Sequence, residues 1–174
     1  MWELSESELL LTISELSVAF AGFASLASIL GRRFSKDDPR LDAGRLLNML
    51  TASLAITVLA LVPFLPMLLD WSPRWVWGAS GVMGLAAIGS LSPAIIRRTR
   101  QMKQLTGFNP SANAVNHTLF IGAGIGFLGS AFGIPSDNPF LAYFGSIVAL
   151  LTSCAILFFR VIASLLQSNV SDSE

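Results

Sequence analysis

Apolar residues fall into five long runs along the chain, and charged residues or turn formers close each run. A bilayer core about 30 Å thick requires about 20 helical residues to cross it. The pattern therefore predicts an all-α integral membrane protein, a bundle of five transmembrane helices that forms a single transmembrane domain over residues 1–174. The predicted spans are residues 9–31, 46–69, 75–96, 114–134 and 140–159.

Prolines interrupt or kink this pattern at three places. Pro135 and Pro139 lie in the short polar segment between the fourth and fifth runs, where a helix cannot continue. Pro63 and Pro66 fall near the end of the second run and predict a kink there. Pro93 predicts a second kink near the end of the third run.

The lysines and arginines predict the orientation of the chain. Of the 11 in the sequence, only Arg74 falls in the loops on one side of the predicted membrane. Because Lys and Arg accumulate on the cytoplasmic side, we expect the N-terminus outside and the C-terminus in the cytoplasm of a cell inner membrane. All four tryptophans (Trp2, Trp71, Trp75 and Trp77) then fall at the outer interface, where aromatic rings concentrate.

The amino-acid composition limits which partners and cofactors the protein is expected to have. Charged residues make up 13% of the chain, against about 25% in soluble domains, so the lipid bilayer is the expected surrounding. Eleven Lys and Arg balance eleven Asp and Glu, which is not the basic excess of a nucleic-acid binder. With one Cys and one His, the sequence offers no zinc or iron–sulfur ligand set, and we expect neither a cofactor nor a metal.

Small residues predict two helix-packing faces, since helices in lipid associate where their backbones approach closely. A glycine stripe runs along the fourth span, and a serine and alanine stripe runs along the first. The stripe residues are Gly122, Gly126, Gly129 and Gly133 in the fourth span, and Ser17, Ala21, Ser25 and Ser28 in the first. Helix packing within one bundle or against a second protomer explains both.

Two sequence motifs of enzymes occur without the context that enzymes need. Gly78-Ala79-Ser80-Gly81 looks like the GxSG element of rhomboid intramembrane proteases, with His117 as the available base. We expect Ser80 and His117 near opposite faces of the membrane, about 15 Å apart along its normal, whereas a nucleophile must contact its base. The stretch from Gly124 to Gly129 fits GxGxxG, but no strand precedes it. We therefore expect no enzyme activity.

Four polar residues within or at the ends of spans form a candidate polar site. Glu15 lies near the outer end of the first span, and an ionisable residue inside a span is a functional candidate. Asn48, Asn116 and His117 lie near the inner ends of the second and fourth spans. Helix capping, interhelical hydrogen bonds and interfacial water are the alternative explanations of these residues.

Two classes of function remain. The first is a small non-catalytic membrane protein that acts as a homo-oligomer or as the membrane subunit of a larger assembly. The alternative is a channel or transporter for an ion or small solute. The central parts of spans two to five contain no charged residue, and conduction requires a lined path. The sequence therefore favours the first class.

Overall fold

The computed structural model describes residues 5–34, 39–103, 110–135 and 137–170, and it describes side chains for 5–27, 43–103, 110–135 and 137–163. These residues form helices and no strands. The helices are α1 (Glu6–Phe34), α2 (Pro39–Leu61), α3 (Phe64–Leu68), α4 (Pro73–Met102), α5 (Pro110–Phe132) and α6 (Pro139–Val170).

Five segments of the described chain are long and apolar enough to cross a membrane, which confirms the predicted fold class. Each corresponds to one predicted span. The helices themselves extend beyond the apolar runs, most clearly α6, which continues to Val170. The predicted fifth span ends before Arg160, whereas five apolar residues and one serine follow this arginine and continue the helix, since Arg, Ala and Leu all have high helix propensity.

The helices begin at residues suited to that position. α2, α4, α5 and α6 each start with a proline, whose missing N–H costs nothing in the first turn. α1 begins with a capping box: the Ser5 N–H donates to Glu8 Oε2 over 2.8 Å, and the Glu8 N–H donates to Ser5 Oγ over 3.3 Å.

The second span is broken rather than only kinked. α2 ends at Leu61, and the chain resumes as the short helix α3 at Phe64. Pro63 has no N–H to donate to the Leu59 carbonyl one turn back. The Tyr143 hydroxyl on α6 donates to that carbonyl over 2.5 Å, so a side chain replaces the hydrogen bond that the proline removes. In contrast, α4 continues through Pro93.

α6 lies at the centre of the bundle and packs against α1, α2, α4 and α5. α1 packs against α2 and α6, so it lies at the edge. We call the end that carries the loops before α4 and α6 the aromatic end, because Trp77, Phe127, Phe140 and Tyr143 cluster there. The opposite end is the basic end, where Arg45, Arg97, Arg98, Arg100, Lys103 and Arg160 lie.

The outer surface of the bundle is apolar. On α5, the exposed residues Ile121, Ile125, Leu128 and Phe132 form one stripe, since residues three and four apart share a helix face. A soluble monomer rarely exposes so large an apolar patch. The surface is suited to lipid acyl chains.

Candidate functional site

A cavity of about 330 Å³ lies at the basic end, between α2, α4, α5 and α6. Its lining extends along α6 from Leu150 to Arg160, a distance of about 15 Å at 1.5 Å per residue. The polar residues of this basic-end cavity include Arg45, Asn48, Asn113, Asn116, His117 and Arg160. Three of the four predicted polar residues, Asn48, Asn116 and His117, therefore meet in one place.

The sequence prediction missed the two arginines of this cavity. Arg45 is only 6% exposed, and Arg160 is half-buried. Both line the cavity, close enough for their positive charges to oppose each other. Arg97, Arg100 and Lys103 at the same end are exposed, as the accumulation of cations on one membrane side predicts. That rule places arginines at an interface but does not distinguish an exposed one from one turned inward.

Arg98 connects α4 to α2 beside the cavity. Its Nη1 atom donates to Asn48 Oδ1 over 3.3 Å and to Thr51 Oγ1 over 3.4 Å. Asn48 is buried, so this contact fixes one polar wall of the cavity. The long separation of Asn48 and Arg98 in the sequence hides the pairing from any local pattern.

His117 is oriented by its own helix. Its Nδ1 atom lies 2.8 Å from the Asn113 carbonyl oxygen and 3.2 Å from Asn113 Nδ2. A carbonyl oxygen only accepts hydrogen bonds, so the shorter contact requires a proton on Nδ1. The neutral imidazole then has Nε2 as its hydrogen-bond acceptor.

Asn116 contributes a buried acceptor. Its Oδ1 atom is inaccessible to solvent and has no hydrogen-bond partner among the described residues. Buried polar atoms are hydrogen-bonded in the great majority of cases, so such an exception requires an explanation. The side chain lines the same cavity as Arg45 and Arg160.

The aromatic end is closed by packed rings. The centroid of the Trp77 ring lies 5.0 Å from that of Phe140 and 5.7 Å from that of Tyr143, and Phe127 lies 5.3 Å from Tyr143. All four side chains are buried. Of the three tryptophans that the structure describes, Trp77 therefore packs inside the bundle, whereas Trp71 and Trp75 are exposed.

Glycines bring α4, α5 and α6 together near this end. A Cβ on Gly126 would overlap Ser146 Oγ on α6 and lie 2.9 Å from the Ala142 carbonyl oxygen. A Cβ on Gly129 would lie 3.7 Å from Ala142 Cβ on α6 and 3.2 Å from the Ile134 carbonyl oxygen, just past the end of its own helix. Gly122 has open space. The sequence analysis missed Gly81 on α4, where a Cβ would lie 2.7 Å from the Phe127 carbonyl oxygen.

Gly133, which was predicted to pack against a neighbouring helix, instead terminates α5. Its φ of 69° is left-handed, which glycine adopts without strain. The Gly133 N–H donates to the Ser130 carbonyl over 3.0 Å, and the Ile134 N–H donates to the Gly129 carbonyl over 2.8 Å. This pair of bonds is the Schellman motif of a helix C-terminus.

The stripe predicted on α1 is divided. Ser17 is buried, and its hydroxyl lies 2.7 Å from Thr57 Oγ1 on α2. Ala21 is half-buried and Ser25 is exposed. The side chain of Ser28 lies outside those that the structure describes.

Glu15 takes no part in the basic-end cavity. It is exposed on α1, a helix that contributes no residue to the lining of that cavity. The four residues of the predicted polar site are therefore divided into a group of three and one separate carboxylate. The sequence gives the position of Glu15 around the axis of α1. It does not show which side of α1 packs against the bundle, and so it could not predict that Glu15 is exposed.

Ser80 and the glycines around it serve helix packing. The Ser80 hydroxyl is buried and donates to the Val76 carbonyl of its own helix over 2.8 Å. His117 lies at the basic end on α5, bound to Asn113. The described residues contain no group of three metal-ligating side chains.

Comparison with known proteins adds nothing to this geometry, since no family model, no curated protein and no solved structure matches the chain.

Proposed function

We propose that the chain is a non-catalytic protein of the cell inner membrane that assembles with a second copy of itself. The observation that carries the proposal is an uncovered face of α1. Its members recur at alternating spacings of three and four residues, and each is exposed. They are Glu8, Leu11, Glu15, Val18, Gly22 and Ser25.

This face of α1 has the features of a helix-pairing surface. A Cβ on Gly22 would meet no atom within 4 Å, so the backbone is open to close approach by a neighbour. An average repeat of 3.5 residues keeps one face in contact along two helices that wrap around each other, and small residues are enriched at such contacts in lipid. Two copies share one orientation in the membrane, so their α1 helices pair in parallel and present identical faces to each other.

The predicted topology belongs to the same proposal. An N-terminus outside and a C-terminus in the cytoplasm place the basic end at the cytoplasmic face. Reporter fusions after Lys36, Lys103 and Glu174 should then all report the cytoplasm. A periplasmic signal from the C-terminal fusion would contradict the proposed orientation.

The assembly is tested by the mass of the full-length protein in a mild detergent. Native protein is expected to be a dimer, and Gly22→Leu is expected to shift it to a monomer, because the added side chain separates the two backbones. Gly89→Leu is the matched control, since a Cβ on Gly89 also meets no atom within 4 Å but lies on α4. A monomeric native protein, or equal dissociation in both variants, would contradict pairing through α1.

A channel or transporter is the second candidate function, and the basic-end cavity is the observation that favours it. A carrier open to one side has a polar cavity that ends near the middle of the membrane. Against this candidate, the buried rings of Trp77, Phe127 and Tyr143 occupy the other half. Ion flux into liposomes that disappears in the Asn116→Leu variant would favour transport over the proposed assembly role.

A further inference from the structure

We propose that the basic-end cavity binds a membrane-soluble molecule that carries uncharged hydroxyl groups. A hydroxyl donates a hydrogen bond to His117 Nε2, and the apolar part of the molecule lies between α4 and α5. This inference concerns the interior of one protomer and does not depend on pairing through α1.

The basic-end cavity opens toward lipid between α4 and α5. Ile96 on α4 and Ile121 on α5 both line the cavity, and both are also exposed on the outer surface of the bundle, at 44% and 62%. They lie in segments that are apolar and long enough to cross a membrane. A molecule that enters between these two side chains therefore comes from the bilayer.

The opening is limited to the half of the bundle near the basic end. Toward the aromatic end, a Cβ on Gly81 would lie 2.7 Å from the Phe127 carbonyl oxygen, and a Cβ on Gly84 would overlap the Phe127 ring. Because α4 and α5 are in close contact there, a ligand between these helices lies beside the polar residues of the cavity.

An entrance from lipid favours an uncharged ligand. A polar group that enters hydrocarbon loses its hydrogen bonds to water, and this cost is much larger for an ionised group than for a hydroxyl. A hydroxyl still carries a proton that it can donate. Among hydrogen-bond donors, a hydroxyl therefore reaches the cavity at a lower cost than an ammonium group does.

His117 requires a donor from the ligand. Its Nδ1 proton bonds to the Asn113 carbonyl oxygen over 2.8 Å, so the neutral ring presents Nε2 as an acceptor. Among the described residues, no hydrogen bond involves Nε2. His117 lines the cavity, and a hydroxyl there supplies the missing proton.

Asn116 provides a second acceptor on the same wall of the cavity. Its Oδ1 atom has no hydrogen-bond partner among the described residues. The terminal torsion of asparagine varies broadly within one rotamer, so the amide can turn this oxygen toward a ligand. A molecule with two neighbouring hydroxyls therefore supplies a donor to each of the two acceptors.

The remaining walls accommodate an apolar chain. Ala52, Ile95, Phe120 and Leu157 line the cavity from four different helices, and its volume of about 330 Å³ exceeds that of a hydroxyl group. Ordered water in a buried cavity needs several polar partners, and these side chains offer it none. Displacement of water from them by a hydrocarbon chain is favourable.

The test uses the full-length protein, purified without a histidine tag and reconstituted in phosphatidylcholine bilayers, whose headgroup has no hydroxyl or amine proton. His117 is the only histidine in the chain, so isotope-labelled histidine marks this one ring for nitrogen NMR. The probes carry labelled glycerol carbons. They are monodecanoylglycerol with two hydroxyls, dioctanoylglycerol with one, the methyl ether of dioctanoylglycerol with none, and glycerol without a chain.

The measurement is the cross peak between His117 Nε2 and the labelled glycerol carbons, followed as the probe concentration rises. Both hydroxyl-bearing glycerides are expected to give a saturable cross peak. The methyl ether should require an about 2- to 10-fold higher concentration for half-saturation, the usual loss for one uncharged hydrogen bond. Glycerol should give no cross peak over the same range of concentrations.

A variant tests the second acceptor. Asn116→Leu should weaken the binding of monodecanoylglycerol by about 2- to 10-fold and remove its advantage over dioctanoylglycerol. Thr118→Leu is the matched control, because the exposed Thr118 hydroxyl bonds to the Ala114 carbonyl of its own helix and does not line the cavity. This control should leave the half-saturating concentration unchanged.

Each outcome decides a part of the proposal. The absence of a cross peak from both hydroxyl-bearing glycerides overturns the inference. Equal half-saturation by the methyl ether overturns the recognition of a hydroxyl, and a cross peak from glycerol at the same concentrations overturns the need for an apolar chain. Equal effects of Asn116→Leu and Thr118→Leu overturn the role of Asn116.

Discussion

The aromatic end and the basic end of the bundle use their polar groups in opposite ways. At the aromatic end, the Tyr143 hydroxyl donates to the Leu59 carbonyl and the Ser130 hydroxyl donates to the Trp77 carbonyl. At the basic end, Arg45 and Arg160 converge on a cavity and Asn116 Oδ1 has no described partner. Satisfied polar groups and close packing favour stability, whereas gathered charge and an unfilled acceptor favour binding.

The aromatic end and the basic end also differ in how closely their helices pack. Backbones meet closely at Gly81 and Gly126, where a Cβ has no room. The stretch of α5 from Asn113 to Ile121 instead faces the cavity. Close packing at the aromatic end therefore fixes the arrangement of the helices. The same arrangement holds the cavity residues in place at the basic end.

The largest effect is expected from enlarging a glycine near the aromatic end. Gly126→Leu should lower the stability by about 3 kcal/mol or more, because the side chain would overlap α6 at Ser146 and Ala142. Gly124→Leu is the control, since its Cβ lies 4.0 Å from Ile88 Cδ1, an ordinary contact. Melting of both variants in detergent measures the difference, and equal losses would show that the helix contact is not specific to Gly126.

A smaller loss is expected when one hydroxyl is removed at the aromatic end. Tyr143→Phe leaves the Leu59 carbonyl without its donor, because Pro63 has no N–H, and should lower the stability by about 1–3 kcal/mol. Thr152→Val is the control, since the exposed Thr152 hydroxyl bonds only to its own helix. A melting temperature of Tyr143→Phe equal to that of native protein would contradict the compensation at Pro63.

At the basic end, the removal of a polar group should not lower the stability of the protein, in contrast to the aromatic end. Asn116→Leu replaces an unpartnered buried acceptor with an apolar side chain, so the stability of the ligand-free protein should stay unchanged or rise by about 1 kcal/mol. Melting curves of the delipidated protein measure this. A clear loss of stability would mean that Asn116 serves the fold and would remove the contrast between the two ends.

The smallest effect is expected at Glu15, which belongs to neither end's cluster. It is exposed in one protomer and lies nine residues after the start of α1 at Glu6, beyond the first turn in which the helix dipole acts. Glu15→Gln should therefore leave the melting temperature almost unchanged, and it should not weaken the dimer, because in the proposed parallel pair the two Glu15 carboxylates lie on facing surfaces and repel each other. Loss of the dimer in this variant would show that the carboxylate itself holds the α1 face together.

Much of the fold could be predicted from the sequence. The length of each apolar run and the prolines near its limits determine five helices, because runs of about 20 apolar residues are too long for membrane strands and a helix satisfies its backbone hydrogen bonds within one segment. The break at Pro63 was visible as a kink, since the loss of an N–H is a local property. The extension of α6 to Val170 was not predicted, because the prediction ended the span before Arg160, although a helix can continue past a charged residue.

The candidate site could be predicted only in part. Asn116 and His117 attracted attention as polar residues near one end of a span, and Asn48 did so in another. Arg45 and Arg160 were counted only as cations that orient the chain. The sequence contains no information on whether an interfacial arginine extends into water or turns into the bundle, since the neighbours that decide this come from other helices.

The sequence by itself determined the number of spans, their approximate positions and the gathering of cations at one end, because these depend on residues close together in the chain. Only the tertiary structure decided which face of each helix is covered, and therefore that Gly126 packs while Gly122 does not. It also decided that α1 leaves Glu15 outside while α2, α4, α5 and α6 enclose the basic-end cavity. The physical reason is that a helix wheel fixes the angles between side chains, whereas contact with other helices fixes which angle points inward.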